Sequence, residues 1–132
     1  MKQCILTLFV VLFPALVAAD TYRCETTNFG RGGWVAPVIL VNVDPAQNKA
    51  RVFEGLIKTF QETPIEAKFK PRANAAFQLN WRVDGIKARD GGTGTNTYRM
   101  TVFPARNAFT LSGQRVGYDN VISAQGTCKK VK

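Results

Sequence analysis

The chain contains the run Phe77-Gln78-Leu79-Asn80-Trp81-Arg82-Val83-Asp84, in which apolar and polar side chains alternate strictly. A period of two residues is that of a β-strand with one face buried and the other in water. The same alternation occurs in residues 65–70 and 98–102. This pattern predicts an all-β protein.

The two runs 65–71 and 77–83 can be paired as a hairpin. If Lys68 faces Asn80, the apolar residues of both runs lie on one side of the hairpin. On the other side Glu66 then faces Arg82, an opposite-charge pair that would favour the same register. A slip of one residue would place apolar positions opposite polar ones, so the pattern is consistent with this pairing.

Residues typical of turns separate the alternating runs, at 44–48, 63–64, 71–74, 90–92 and 104–107. In the segment 50–60 the alternation is broken, and Gly55 is interpreted as a bulge that resets the register. Regularly spaced short strands indicate a barrel or a sandwich. The predicted strands are Thr21–Thr27, Val35–Asp44, Ala50–Phe60, Ile65–Pro71, Phe77–Ile86, Thr97–Phe103, Ala108–Gly113 and Val121–Lys129.

The first 19 residues have the features of a cleavable secretory signal peptide. Lys2 precedes an uncharged run from Cys4 to Val17, and Val17-Ala18-Ala19 fits the small-residue rule for cleavage after Ala19. The run is shorter than the roughly 20 apolar residues of a spanning helix. We therefore expect residues 20–132 to form a single β domain in the periplasm or outside the cell, with no transmembrane segment in the mature form.

Cleavage would leave two cysteines, Cys24 and Cys128, near the two ends of the mature chain. An even pair in an oxidising compartment indicates a disulfide. Such a bridge would tie the first strand to the last, and closure of the sheet would remove its exposed edges. We predict a small up-and-down barrel of about eight antiparallel strands, with a two-sheet β-sandwich as the alternative.

The composition disfavours enzyme chemistry. The chain has no histidine, which is the commonest general base, and its two mature cysteines are expected to be paired. The spacing of the Asp and Glu residues singles out no pair, so we predict no catalytic residue, no metal and no cofactor. The glycine-rich run Asp90–Asn96 is interpreted as a hairpin loop, because it has too few carboxylates for a calcium site.

The chain is strongly basic, with 18 Lys and Arg against 9 Asp and Glu, a formal net charge of +9. Such a surplus favours anionic partners, although it is also an ordinary means of solubility. Lys68, Lys70 and Arg82 lie on the predicted outward face of the hairpin and are candidate ligand-binding residues. The candidate partners are an anionic lipid or glycan, or a protein. Nucleic acid is not expected for an exported chain.

Trp34 follows Gly30-Arg31-Gly32-Gly33, and Gly32-Gly33-Trp34 resembles the Gly-x-Trp opening of the lipocalins. Two interpretations are open. The ring can plug one end of the core, as large apolar rings often do. Alternatively, Trp34 contacts a ligand, and it is included among the candidate ligand-binding residues.

Two larger resemblances concern the whole outline of the chain. An export signal, an early Cys, meandering strands and a late Cys resemble the periplasmic c-type lysozyme inhibitors, which implies a small β-barrel that inhibits a protein. The mature chain, from Thr21-Tyr22-Arg23-Cys24 to Gly126-Thr127-Cys128, is also similar to a loose group of short exported bacterial proteins, to which no activity is attached.

The leading functional hypothesis is an exported, non-enzymatic β-barrel that binds an anionic or amphipathic component of the cell envelope. The alternatives are a protein inhibitor of the lysozyme-inhibitor type and a carrier that holds a small apolar ligand.

Overall fold

The computed structural model of the chain describes residues 19–30, 34–119 and 121–131. Eight antiparallel strands pair in chain order and the last pairs with the first, so the sheet closes into a barrel. This confirms the predicted up-and-down barrel over the sandwich. Of the predicted signal peptide, only Ala19 lies within the described residues. The strands are β1 Asp20–Asn28, β2 Val38–Asp44, β3 Lys49–Glu54, β4 Ile65–Pro71, β5 Phe77–Lys87, β6 Thr93–Phe103, β7 Ala108–Arg115 and β8 Val121–Val131.

The predicted disulfide is present. Cys24 and Cys128 lie directly opposite each other where β1 pairs with β8, and their sulfur atoms are bonded. Both residues are buried. The bridge therefore reinforces the pair of strands that closes the barrel.

The interior of the barrel is packed with side chains from all eight strands. Trp81, on the apolar face predicted from its alternation, is buried and stacks on Tyr98 of β6 with ring centroids 5.3 Å apart. The largest side chains that are fully buried are Phe109, Ile39, Ile57, Leu79, Ile86, Met100 and Ile122. The alternating pattern thus supplies one continuous core, and burial of its apolar area is the main force that stabilises the fold.

The predicted register of the hairpin is confirmed at its centre, where Lys68 lies opposite Asn80. The β4–β5 ladder starts at that pair, so the predicted pairing of Glu66 with Arg82 is wrong. Glu66 lies opposite Arg51 on β3 instead. Beyond the ladder β5 meets the β3–β4 connection, where the Gln61 side chain donates a 2.9 Å hydrogen bond to the carbonyl oxygen of Asp84.

The predicted strand Ala50–Phe60 is wrong beyond Glu54. The strand ends there, and the short helix α1 Gly55–Phe60 follows instead of a bulge. The Glu54 carboxylate accepts hydrogen bonds from the backbone N–H groups of Leu56 (3.1 Å) and Ile57 (2.9 Å) and so caps the first turn. Ile57 is fully buried, which anchors the helix against the barrel. Six residues are too few for helical periodicity to appear in the sequence.

The four connections β1–β2, β3–β4, β5–β6 and β7–β8 lie at one end of the barrel, called here the upper end. The three connections at the lower end are short 3₁₀ turns at the predicted turn residues, Pro45–Gln47, Ala73–Ala75 and Pro104–Arg106. Asn48, Asn74 and Asn107 adopt left-handed backbone angles with φ of 51°, 59° and 51°. Asn tolerates this region better than most residues, which explains its place in each turn.

Besides β3, several strand ends differ from the prediction by one or two residues, and the starts of β2 and β6 differ by more. β2 begins at Val38 rather than Val35, just after Pro37, whose backbone has no N–H for a ladder. β6 begins at Thr93, so half of the predicted glycine-rich loop belongs to the sheet. β8 continues to Val131, because Lys130 pairs with β1 and its Nζ lies 3.1 Å from Oδ1 of Asp20.

Candidate functional site

A groove of about 750 Å³ crosses the outer wall of the barrel over strands β4 to β7. One row of its lining is Lys68, Asn80, Arg99 and Ser112, which follow one another across successive strand pairs. A parallel row of Glu66, Arg82, Thr97, Gln114 and Val121 lies toward the upper end. Neighbouring strands are about 4.8 Å apart, so the three spacings from β4 to β7 span roughly 14 Å.

The lengths of the side chains along the two rows give the groove its shape. Thr97 on β6 and Ser112 on β7 have short side chains, while those of Lys68, Arg82 and Arg99 on the same wall are long. Beneath them Gly113 lacks a side chain, and a Cβ added there would lie 2.8 Å from the Tyr98 ring. The glycine therefore leaves room for the buried Tyr98 ring on the inner side of the wall.

The groove and its margin carry three cations, Lys49, Lys68 and Arg99, that are outside the ion pairs of the described residues. Lys49 of β3 lies directly opposite Lys68, so two positive side chains are adjacent on the outer wall. Within the described part of the chain, no carboxylate lies at ion-pair distance from Lys49, Lys68 or Arg99. Like charges directly opposite each other destabilise a sheet. Asp44 on β2 lies directly opposite Lys49 on its other side, so its carboxylate offsets part of the repulsion between the two lysines, and a bound anion would offset more of it.

Arg82 differs from the other cations of the groove. Its Nε lies 2.8 Å from Oδ1 of Asp84, and the Thr95 hydroxyl donates a second 2.8 Å hydrogen bond to the same oxygen. These hydrogen bonds, from Arg82 first and then from Thr95, hold the pKa of Asp84 below its usual range. Arg82 is therefore positioned at the groove with much of its charge already balanced.

The structure brings together two of the four residues predicted to bind a ligand. Lys68 and Arg82 both line the groove, while Lys70 lies two pairs further down, opposite Gln78, and is not part of the lining. Trp34 is at the upper end of the barrel. The sequence prediction missed Arg99, although the alternation of residues 98–102 already placed it on the outward face.

Trp34 is not the plug of the core that one interpretation expected. Its ring is 44% exposed, and the Arg115 guanidinium lies 5.2 Å from the ring centre. Only its backbone enters the barrel, where the Tyr98 hydroxyl donates a 2.7 Å hydrogen bond to the Trp34 carbonyl oxygen. Trp34 has φ of 64°, a strained conformation for a bulky residue, and this hydrogen bond helps to hold it.

A small buried polar cluster supports that hydrogen bond. The Asn96 side-chain amide donates to the Tyr98 hydroxyl at 3.0 Å, and both residues are buried. Burial is the largest cause that raises the pKa of Tyr98 to about 12. Tyr98 is therefore protonated near neutral pH and can donate to Trp34.

Burial also raises the pKa of Glu54, the cap of α1, against the opposing effect of its hydrogen bonds from Ile57 and Leu56.

A second, smaller groove of about 420 Å³ lies on another part of the outer wall. It is lined in part by Leu40, Phe53 and Pro64, with Arg51 at its side. It has a single cation and a more apolar surface than the first groove. It is therefore the poorer candidate for an anionic ligand.

Comparison with protein-family models, curated proteins and solved structures found no match to this chain. No helix among the described residues is long and apolar enough to cross a membrane. In the same residues no three Cys, Asp or Glu side chains come together as metal ligands. The functional argument therefore rests on the chemistry of the chain's own surface.

Proposed function

We propose that this chain is an exported, non-enzymatic protein of the cell envelope, and that its outer groove binds an acidic glycan. Export is supported by the predicted signal peptide, and the buried bridge between Cys24 and Cys128 is compatible with an oxidising compartment. The net charge of +9 supports an anionic partner.

The observation that carries the proposal is the row of cations from β3 to β6. Lys49, Lys68 and Arg99 lie along one line of paired residues, interrupted only by Asn80. A bound carboxylate between Lys49 and Lys68 would replace repulsion by two attractions. Binding would therefore reduce the repulsion that Asp44, opposite Lys49, offsets only in part.

The uncharged lining favours a glycan over a lipid head group. Asn80, Thr97, Ser112 and Gln114 offer amide and hydroxyl groups between the cations, and these can bond the hydroxyl groups of a sugar chain. Val121 is the one strongly exposed apolar side chain in the lining. An extended ligand with spaced negative charges and many hydroxyl groups matches this surface.

The two alternative functions receive less support. A carrier needs space inside the barrel, and the interior here is packed with side chains from every strand. An inhibitor of a basic enzyme such as an animal lysozyme would carry its own positive charge toward a positive partner, which opposes association.

The proposal is tested by titrating the protein with polygalacturonate, with neutral dextran as the comparison ligand. The double variant Lys68→Glu with Arg99→Glu should weaken binding by roughly tenfold or more, because two cations at the groove become anions. The matched control is Lys58→Glu with Lys129→Glu, which makes the same change of net charge at exposed positions outside the groove.

The control should bind with close to wild-type affinity, and dextran should not bind. If the two double variants lose affinity equally, net charge rather than the groove determines binding. If neither the wild type nor the control binds polygalacturonate, the groove is not a site for acidic glycan.

A further inference from the structure

Large apolar side chains are exposed mainly at the upper end of the barrel. Five of the seven in the described residues lie on or beside the β1–β2 and β7–β8 connections. These five residues are Phe29, Trp34, Val116, Tyr118 and Val121. Together with Arg115 they are called here the aromatic tip. Clusters of this kind on a monomer commonly mark an interaction site.

Arg115 links two rings of the aromatic tip, those of Trp34 and Tyr118. The Arg115 guanidinium lies 5.2 Å from the Trp34 ring centre and 5.9 Å from that of Tyr118, so it is placed between the two rings. On the other side, Gly30 packs against the backbone of Ser123 on β8 so closely that a Cβ would lie 2.3 Å from its oxygen. This contact brings the neighbouring Phe29 to the part of β8 that begins with Val121.

The barrel holds Trp34 in place from inside. The buried Tyr98 donates to the Trp34 carbonyl, and the buried Asn96 donates to Tyr98. The two buried side chains thus stabilise the left-handed backbone conformation of Trp34, and in this conformation its indole ring is exposed. Strain of this type tends to occur at functional positions.

We propose that the aromatic tip docks on the interface of a phospholipid bilayer, with Arg115 bound to a head-group phosphate. Trp and Tyr are favoured at membrane interfaces because each combines an apolar ring with a polar group. Within the described chain, Arg115 has no carboxylate at ion-pair distance, so its guanidinium is available to an anionic phosphate. This proposal is separate from glycan binding in the outer groove.

The extent and shape of the tip favour a bilayer over other partners. The exposed apolar area of the five residues is on the order of 500 Å², below the roughly 800 Å² that one partner of a stable protein interface buries. Trp34, Tyr118 and Phe29 line neither of the two grooves described above. Side chains that project from the end of a rigid barrel can instead enter the head-group region together.

Trp34 itself is the probe for the experiment, because the other tryptophan, Trp81, is buried in the core. Vesicles of phosphatidylglycerol with brominated acyl chains should quench the Trp34 emission and shift it to shorter wavelength. Trp34→Phe should abolish both effects, since only Trp81 remains. Arg115→Gln should remove the preference for phosphatidylglycerol over phosphatidylcholine vesicles.

The matched variants separate the aromatic tip from apolar exposure in general. Trp34→Ser with Tyr118→Ser should lower the vesicle partition coefficient by at least roughly tenfold, whereas Leu40→Ser, at an exposed position on the wall of β2, should leave it unchanged. The groove variant Lys68→Glu with Arg99→Glu should still show quenching of Trp34.

Several results would overturn the proposal. They are vesicle binding without quenching of Trp34, equal losses in the Leu40 and tip variants, and no binding to either vesicle type. A concentration-dependent dimer in sedimentation that the tip variant abolishes would identify the tip as a self-association surface instead.

Discussion

Lys49 on β3 lies directly opposite Lys68 on β4, with both side chains on the outer wall of the barrel. A like-charge pair in this position destabilises a sheet by up to about 1 kcal/mol. Lys68→Glu replaces the repulsion by an attraction. We therefore expect the variant to be more stable to urea than the wild type, by roughly 0.5 kcal/mol, while binding polygalacturonate more weakly.

The comparison for this prediction is Lys70→Glu, since Lys70 faces the uncharged Gln78. It should gain less stability than Lys68→Glu. A loss of stability in Lys68→Glu would show that the two lysines do not repel each other strongly enough to matter.

The bridge between Cys24 and Cys128 predicts a large effect on stability. The two residues are 104 positions apart, so the disulfide restricts almost the entire unfolded chain. Replacement of both by Ser should lower the free energy of unfolding by about 2–5 kcal/mol. Urea unfolding of the oxidised wild type and the double variant measures this cost. Two titratable thiols in the unfolded, unreduced wild type would contradict the bridge.

The Glu54 carboxylate caps α1 through the N–H groups of Leu56 and Ile57. Glu54→Ala removes both hydrogen bonds and should cost about 1–2 kcal/mol, the usual effect of losing a helix cap. Glu54→Gln keeps a side-chain oxygen and should be less affected. An unchanged midpoint of urea unfolding in Glu54→Ala would show that α1 does not need the cap.

The raised pKa of Glu54 gives this site a defined pH dependence. The folded protein holds the proton more tightly than the unfolded chain, so this group favours folding most at acid pH. Its contribution is lost as the pH rises through the folded pKa. From about pH 4 to about pH 7, the wild type should therefore lose stability relative to Glu54→Gln. A constant difference between the two proteins would contradict the raised pKa.

Tyr98 predicts a second pH effect, at the alkaline end. Its pKa of about 12 lies above the ordinary value of 10.0, so the folded state again retains the proton longer. The stability contributed by Tyr98 is present below about pH 10 and is lost as the pH approaches about 12. Absorbance titration of the tyrosinate should show a late component that is missing in Tyr98→Phe. Tyr98→Phe also removes the hydrogen bond to the Trp34 carbonyl oxygen, so it should change the quenching of Trp34 by acrylamide. Unchanged quenching would mean that the hydroxyl does not position Trp34.

The barrel could be predicted from the sequence because the alternation of apolar and polar residues shows which face of each strand is buried. In residues 77–84 every apolar side chain is buried, and the polar ones other than Gln78 are half-buried or exposed. The hairpin register at Lys68 and Asn80 agrees with that alternation. The helix α1 was missed because it has only six residues. The interaction that starts it is the Glu54 cap, and those hydrogen bonds form only once the chain has left the strand. Short helices after a strand carry too few residues for a periodic pattern.

The candidate site was only partly predictable, because a groove depends on how strands are placed side by side. Lys68 and Arg82 could be assigned to one face from local alternation. Their approach to Arg99 required the pairing of β5 with β6, and the repulsion by Lys49 required that of β3 with β4. The hydrogen bond from Tyr98 to the Trp34 carbonyl oxygen joins residues 64 positions apart, and no local sequence pattern predicts it.

The most direct test of the central claim is to map the bound ligand on the surface by NMR. In a titration of ¹⁵N-labelled protein with short galacturonate oligomers, we expect the largest amide shifts at Lys68, Asn80, Thr97, Arg99 and Ser112. The outer wall of β1 and β2, on the far side of the barrel, should change little. Shifts that concentrate there, or that are equally small over the whole barrel at saturating ligand, would contradict the outer groove as the binding site.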